Sequence, residues 1–337
     1  MRARTLAMAL VGAAVSALGL LFAFWHVHLL GGVRLVPRMH LHELRAALGG
    51  VQPLWLMAFA ALNVTTLILR AFQTQALVRR LDGTAPRWYA CWQAVTVGMM
   101  AQNILPARLS EAARVVALVR ADDVRASTVT GAVVLGRVLD LVALLAVTCV
   151  PSIALGLAAA DTRAMRLGAA IGSAVALLLI AALLALYRTR RALVDRAARM
   201  RPRLGQLVEG LVEGLSALGS PRRLAEAAIS TLGIPLALAA TYGCALHAFG
   251  LGGLPTGTTL VLVAAVLFAI AIPSAPSSLG VFHAVTTWTL TTLGAPTARA
   301  AAFALVTHAI GVVTFIGLGA IALGELGGRD LLRRRDG

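Results

Sequence analysis

The stretch QNILPARLSEAAR, Gln102–Arg114, lies between two strongly apolar segments and decides how the rest of the chain reads. It places Pro106, Arg108, Glu111 and Arg114 where a helix facing hydrocarbon tolerates none of them. Proline removes a backbone donor and breaks a helix, and the charges that follow recur every three residues. The helix therefore stops, turns and restarts with its polar face on protein or water. A bilayer protein builds a polar site in this way.

The composition around that stretch is that of a membrane protein. The 337 residues are 59% hydrophobic and 13% charged, with a mean hydropathy of +0.85, and the apolar residues come in runs rather than stripes. The net charge of +16 is carried by arginine alone. The use of arginine alone points first to genome base composition and second to binding of anionic lipid, and because these arginines gather at segment ends and form no continuous basic face they are weak evidence for nucleic acid. Cys91, Cys149 and Cys244 stand in apolar surroundings without metal-ligand spacing and read as small core residues. His40 and His42 form an HxH pair without a third ligand and read as a solvated loop. No metal and no cofactor is expected.

Toward the amino terminus, Arg2 and Arg4 precede an apolar run over about 6–30, long enough to span a bilayer and read as a retained first span. Residues 31–52 form a polar connector, and a second span over about 53–77 carries Arg70. That arginine either snorkels to the cytoplasmic end or faces a substrate. The pieces on either side of Pro106 are too short to cross, so the region about 88–120 reads as a re-entrant hairpin.

Toward the carboxyl terminus, a helix over about 127–150 contains GRVLDL, Gly136–Leu141. Arg137 and Asp140 lie three apart on one face and pair there, either as a structural ion pair or as part of a site. The segment 151–223 holds a span at 167–187 and a connector at 188–223, whose arginines alternate with leucines as in an amphipathic helix on the cytoplasmic leaflet. In 224–325 the outline repeats: a span, then a second re-entrant hairpin over about 257–293 broken at IPSAPSSLG, Ile272–Gly280, and a last span. A basic tail, 326–337, follows. With both termini cytoplasmic, nearly every arginine-rich end falls inside and the two halves run in opposite orientations. The fold class is all-α and polytopic, an inverted-topology repeat of about six full spans plus two re-entrant helix hairpins. Such repeats place a substrate near the midplane, and half-helix amino termini aimed at it favour an anionic group.

Three motifs in order, NILPARLSEAAR at Asn103–Arg114, GRVLD at Gly136–Asp140 and PSAPSSLGVF at Pro273–Phe282, resemble the flippase-like membrane family that includes the transmembrane part of lysylphosphatidylglycerol synthase. The usual pattern there is N-x-LP-x-R-x-GE, an arginine and aspartate on the next helix, P-x-x-x-G-x-x-E, and an arginine in the last span. Asn103, Pro106, Arg108, Glu111, Arg114, Arg137, Asp140 and Gly280 match it. Ser110 replaces a glycine, Ser277 and Ser278 replace a glycine-rich turn, His283 stands for the glutamate and His308 for the last-span arginine. The two histidines are either satisfied core residues or a pair that responds to protonation near neutral pH.

The resemblance implies movement of a lipid or lipid-linked molecule between the leaflets of a bacterial inner membrane. Its cargo class would be an anionic phospholipid, a polyprenyl-linked sugar or a hopanoid-type lipid, with a lipid-synthesising enzyme as a possible partner. Because the chain stops at Gly337 without a soluble aminoacyl-transfer domain, a transporter is expected and not a synthase. Arg70, Arg108, Arg114 and Arg137 would handle the headgroup, Glu111 and Asp140 would balance them, and Asn103, His283 and His308 would complete the site. Pro106, Pro273, Pro276 and Gly280 would form the turns. Two other classes stay open: an integral-membrane enzyme acting on a lipid phosphate, and a membrane assembly scaffold.

Overall fold

The structure is a computed structural model that describes residues 13–23, 25–28, 34–37, 40–105, 109–154, 163–255, 257–271 and 276–335. Pro106, Arg108 and Pro273 lie outside the described residues. The described residues open with helix α1 (Ala13–Ala23), an antiparallel two-stranded hairpin β1 (Trp25–His28) and β2 (Arg34–Pro37), and α2 (Leu41–Gly49). It continues with α3 (Pro53–Leu77), α4 (Trp88–Ile104), α5 (Leu109–Ala121), α6 (Ala126–Ala154), α7 (Arg163–Met200) and α8 (Pro202–Glu213). A 3₁₀ segment, Gly214–Gly219, leads into α9 (Pro221–Ala248), α10 (Thr258–Ala271), a 3₁₀ turn Pro276–Ser278, α11 (Val281–Thr292) and α12 (Thr297–Arg335). Proline opens α3, α8 and α9, where its missing N–H has no helical partner to lose. Among the described residues five helices, α3, α6, α7, α9 and α12, are long and apolar enough to cross a membrane.

The structure differs from the sequence reading at two places. The first span was expected to run to residue 30, but its helix ends at Ala23 and the chain turns into the β-hairpin, the one departure from an all-α fold among the described residues. The span expected to end at Tyr187 continues unbroken to Met200, so α7 rises about 57 Å, nearly twice the hydrocarbon thickness. Beyond it, α8 packs on α6. A Cβ at Gly131 would stand 2.2 Å from the Leu211 carbonyl oxygen, so only glycine admits this approach.

Two helix pairs position the site. α4 and α5 fold back on one another, and a Cβ at Gly98 would already lie 3.0 Å from the Arg114 Cβ. Their outer ends meet through Asp122, which accepts the Arg87 N–H at 2.7 Å and pairs with Arg80 at 3.0 Å. Leu81 N–H donates to the Asp123 carbonyl at 3.1 Å, and Arg80 and Val124 form an isolated β-bridge. The chain thus leaves α5 where it entered α4. α10 and α11 form the second pair, and its outer ends are drawn together where Arg299 donates to the Gly250 carbonyl at 3.4 Å.

α3 and α9 form the most extensive helix contact and run antiparallel. At one end Arg223 donates to the Ala76 carbonyl at 3.4 Å; at the other, Gln52 N–H donates to the Ala248 carbonyl at 3.0 Å and Trp55 stacks on His247. The α4–α5 pair opens beside the carboxyl end of α3, and the α10–α11 pair opens beside the carboxyl end of α9. The two pairs therefore enter the bundle from opposite ends. Their tips meet inside, where the Ser277 hydroxyl donates to Asn103 Oδ1 at 2.8 Å.

Candidate functional site

In an otherwise apolar α3, Asn63, Thr66, Arg70, Gln73 and Thr74 recur at steps of three and four and so share one face. That face meets α5 and α6 at a charged layer. Arg70 Nη1 donates to Asp140 Oδ2 at 2.6 Å. Gln73 Nε2 donates to Asp140 Oδ1 at 2.9 Å and to Thr231 Oγ1 at 3.0 Å. Arg137 Nε donates to Glu111 Oε1 at 2.9 Å, with a second bond from Nη2. Arg114 Nη2 donates to Thr74 Oγ1. Arg70 and Arg114 each lie seven residues before the end of their helix, a rise of about 10 Å, and Arg137 lies about 16 Å into α6.

A cavity of about 140 Å³ opens on this layer. The α3–α6 side carries the polar groups, Asn63, Thr66, Arg70, Gln102, Ser110, Glu111, Arg114 and Arg137, together with Val95, Gly98 and Met99 of α4. The facing wall is apolar apart from the Tyr242 hydroxyl: Leu238 and Tyr242 from α9, Val263, Val266, Leu267 and Ile270 from α10, and Phe315 from α12. The two ion pairs differ. Arg70 and Asp140 are enclosed, with side chains 15% and 17% exposed. Arg137 and Glu111 are 51% and 32% exposed, a far wetter pair at the cavity mouth.

Beyond the cavity, the histidines hold the tip contact. His308 Nε2 lies 2.8 Å from the Ser277 carbonyl oxygen and 3.2 Å from its hydroxyl. The ring also stacks on Phe282 with centroids 4.9 Å apart and meets His283 edge to face at 4.8 Å. His283 is 4% exposed, and its Nδ1 accepts the Gly280 N–H at 3.3 Å. Accepting that bond requires an unprotonated nitrogen, so this geometry is that of the neutral imidazole. A glutamate at the same helix position would cap the same N–H. In place of the glutamate and arginine of the family pattern, two imidazoles face each other here.

The structure brings together Arg70, Glu111, Arg114, Arg137 and Asp140, and separately Asn103, Pro276, Gly280, His283 and His308 at the tips. Arg137 and Asp140 do not pair with one another as their spacing led us to expect. Each pairs across to another helix, because i, i+3 spacing fixes a shared face but not a partner. Asn63, Thr66, Gln73, Gln102, Ser277 and Thr231 were missed as site residues. For the α3 residues the signal was present in their helical spacing around Arg70. Among the described residues, no three His, Cys, Asp or Glu side chains gather as a metal site.

No curated protein matches the chain, and no solved structure matches it. The family model described as lysylphosphatidylglycerol synthase TM region matches residues 6–319. With that match and, among the described residues, five helices long and apolar enough to cross a membrane, the chain is a multi-pass integral membrane protein that belongs to the lysylphosphatidylglycerol synthase transmembrane-region family.

Proposed function

We propose that the protein moves an anionic lipid or lipid-linked molecule between the leaflets of a bacterial inner membrane, as a transporter and not as an enzyme. The observation that carries this reading is a cavity in which the arginines, the carboxylate and the amides come from α3–α6, while α9, α10 and α12 contribute mainly aliphatic and aromatic side chains. An amphiphile with an anionic head matches both walls at once. In this reading the two helix pairs are re-entrant hairpins of an inverted repeat, the first opening to the cytoplasm and the second to the outside, with both termini cytoplasmic.

The two ion pairs then have different tasks. Exposed pairs contribute at most about 1 kcal/mol, so Arg137 exchanges Glu111 for a headgroup oxygen at little cost. The enclosed Arg70–Asp140 pair, braced by Gln73, stays closed and keeps the layer in place. Passage beyond the cavity parts the tips, where the Ser277 bonds to Asn103 and His308 are neutral and worth about 1 kcal/mol each. Arg108 remains an expected headgroup contact. The test is transport in reconstituted vesicles, read by leaflet-selective quenching of a fluorescent anionic lipid. Wild type should move it, and Glu111→Ala and Arg114→Gln should not, with both variants inserted normally. Transport at the wild-type rate in both would sink the assignment.

A further inference from the structure

Away from the central cavity, one face of α7 carries two chemistries in succession. Ile180, Leu183, Tyr187, Arg190 and Val194 follow at steps of three and four and so share that face. Ile180 and Leu183 border an apolar groove of about 370 Å³; Arg190 and Val194 border a charged pocket of about 350 Å³. The rest of the groove is built mainly from α6 between Leu135 and Ala146, α9 between Leu224 and Leu232, and Gly214 and Leu215, and no polar atom faces into it. Ile180, Leu224 and Leu232 remain 40%, 43% and 43% exposed. The groove therefore opens on the outer surface of helices long and apolar enough to cross a membrane, where hydrocarbon surrounds it. It shares no lining residue with the central cavity.

The charged pocket continues the groove. Glu213 lines the pocket, and Gly214, the next residue, lines the groove. Arg190 stands ten residues beyond Ile180 on α7, and Arg125 stands ten residues before Leu135 of α6, which runs the other way. Each helix thus places an arginine about 15 Å from the aliphatic lining. From Leu135 to Ala146 the groove extends about 17 Å along α6, close to the roughly 15 Å of hydrocarbon in one leaflet. Between groove and pocket lies Tyr187, an aromatic suited to the headgroup level, with the Arg190 guanidinium 3.8 Å from its ring centre. Arg125, Arg190 and Arg191 share the pocket with Asp195, Glu209 and Glu213. Glu213 accepts the Thr128 hydroxyl at 2.5 Å. Among the described residues, no arginine of the pocket comes within ion-pair distance of any of these carboxylates. Opposite charges that line one small space without pairing are complementary to a ligand that carries both.

We infer that groove and pocket together form a second lipid site, for a phospholipid whose head carries both a phosphate and a primary ammonium group. One acyl chain lies in the groove, the phosphate takes the N–H groups of Arg190 and Arg191, and the ammonium is held by Asp195 and Glu209. Guanidinium forks suit phosphate oxygens, and a primary ammonium brings three N–H donors to the carboxylates. An anionic phospholipid without an amine satisfies the arginines but leaves the carboxylates facing it. The bound molecule is a resident and not the cargo. Its link to the charged layer is Thr231, which lines the groove and accepts at 3.0 Å from the same Gln73 amide that braces Asp140.

The experiment is photo-crosslinking of the whole protein in phosphatidylcholine nanodiscs. These carry, at equal density, a phosphatidylethanolamine, phosphatidylglycerol or phosphatidylcholine probe with a diazirine in one acyl chain, and the adducts are mapped by peptide mass spectrometry. The phosphatidylethanolamine probe should label residues 135–146 and 224–232 about fivefold more than either other probe, the gain from pairing one further exposed charge. Asp195→Asn combined with Glu209→Gln should bring that labelling down to the phosphatidylcholine level and leave phosphatidylcholine unchanged. Arg190→Gln combined with Arg191→Gln should lower labelling by all three probes. Ala228→Trp, which fills the groove from an exposed position, should remove the groove adducts altogether. Equal labelling by the three probes, or a preference for phosphatidylglycerol, overturns the headgroup assignment. Adducts on the outward Leu177 and Leu178 of α7 as abundant as those in the groove overturn the site itself. Neither result bears on the transport reading, which rests on the separate central cavity.

Discussion

Removing one partner of the enclosed ion pair should damage the fold more than removing both. In Asp140→Leu, Arg70 loses a bond of 2.6 Å and Gln73 loses one of 2.9 Å. An uncompensated buried charge costs about 3–5 kcal/mol. The side chains keep 15% and 17% exposure beside a cavity that admits water, which places the loss near the lower end, about 3 kcal/mol. Arg70→Met combined with Asp140→Leu removes both charges and fills the same space with apolar atoms, a change that is usually neutral or stabilising. The double variant should therefore fall within about 1 kcal/mol of wild type, yet fail to transport. Arg137→Gln at the exposed mouth pair should change stability by less than about 1 kcal/mol. Reversible unfolding in mixed micelles, followed by tryptophan fluorescence, of these three variants and of Arg70→Met alone supplies the comparison. If the double variant shows the sum of the two single losses, Arg70 and Asp140 are not coupled and the inner layer is wrongly drawn.

The remaining predictions concern the scaffold. Gly280 has φ +86 and an added Cβ would lie 2.0 Å from the Ser16 carbonyl oxygen, so Gly280→Ala should cost at least about 2–3 kcal/mol in the same unfolding assay. Gly98→Leu should wedge α4 from α5 and draw Arg114 away from Thr74, giving an inserted protein that no longer retains anionic lipid by mass spectrometry. Ser277→Ala removes the hydroxyl bridge between the tips and should change the transport rate more than stability, which loses about 1 kcal/mol. Asp122 supplies the pH dependence. Burial alone would raise its pKa, but the N–H groups of Arg87 and Asp123 and the guanidinium groups of Arg87 and Arg80 outweigh it and hold the carboxyl below its usual range. Its stabilisation is full above the unfolded value of about 4 and is lost as pH falls through the lower folded value. Unfolding titrations should show wild type weakening below about pH 4 and Asp122→Asn weakening less.

The positions of the helix breaks could be read from the sequence because proline and short apolar length leave few alternatives. The short helices α4–α5 and α10–α11 occupy nearly the same stretches, 88–121 and 258–292, in which two short segments around a proline break were expected. The pairing of charges could not be read, since spacing places Arg137 and Asp140 on one side of α6 without saying that Glu111 and Arg70 wait opposite. On α3 the charge of Arg70 drew attention, while the polar residues flanking it went unread inside an apolar run. The β-hairpin was hidden in the same way: Gly31 and Gly32 separate two short apolar runs, a turn signal masked by high mean hydropathy. The extension of α7 was missed because hydropathy falls after Tyr187, whereas arginine, alanine and leucine keep helix propensity high until Pro202 breaks it.

The account depends most directly on the sidedness of the two helix pairs. In a background lacking Cys91, Cys149 and Cys244, single substitutions Thr84→Cys and Asp123→Cys mark the two ends of the first pair, and Gly253→Cys and Gly294→Cys mark those of the second. Labelling with an impermeant maleimide in intact and inverted vesicles should place the first two on the cytoplasmic side and the last two on the outer side. Thr84→Cys and Asp123→Cys labelled from opposite sides would mean that α4 and α5 cross the membrane separately, contradicting both the re-entrant hairpin and the midplane site built on it.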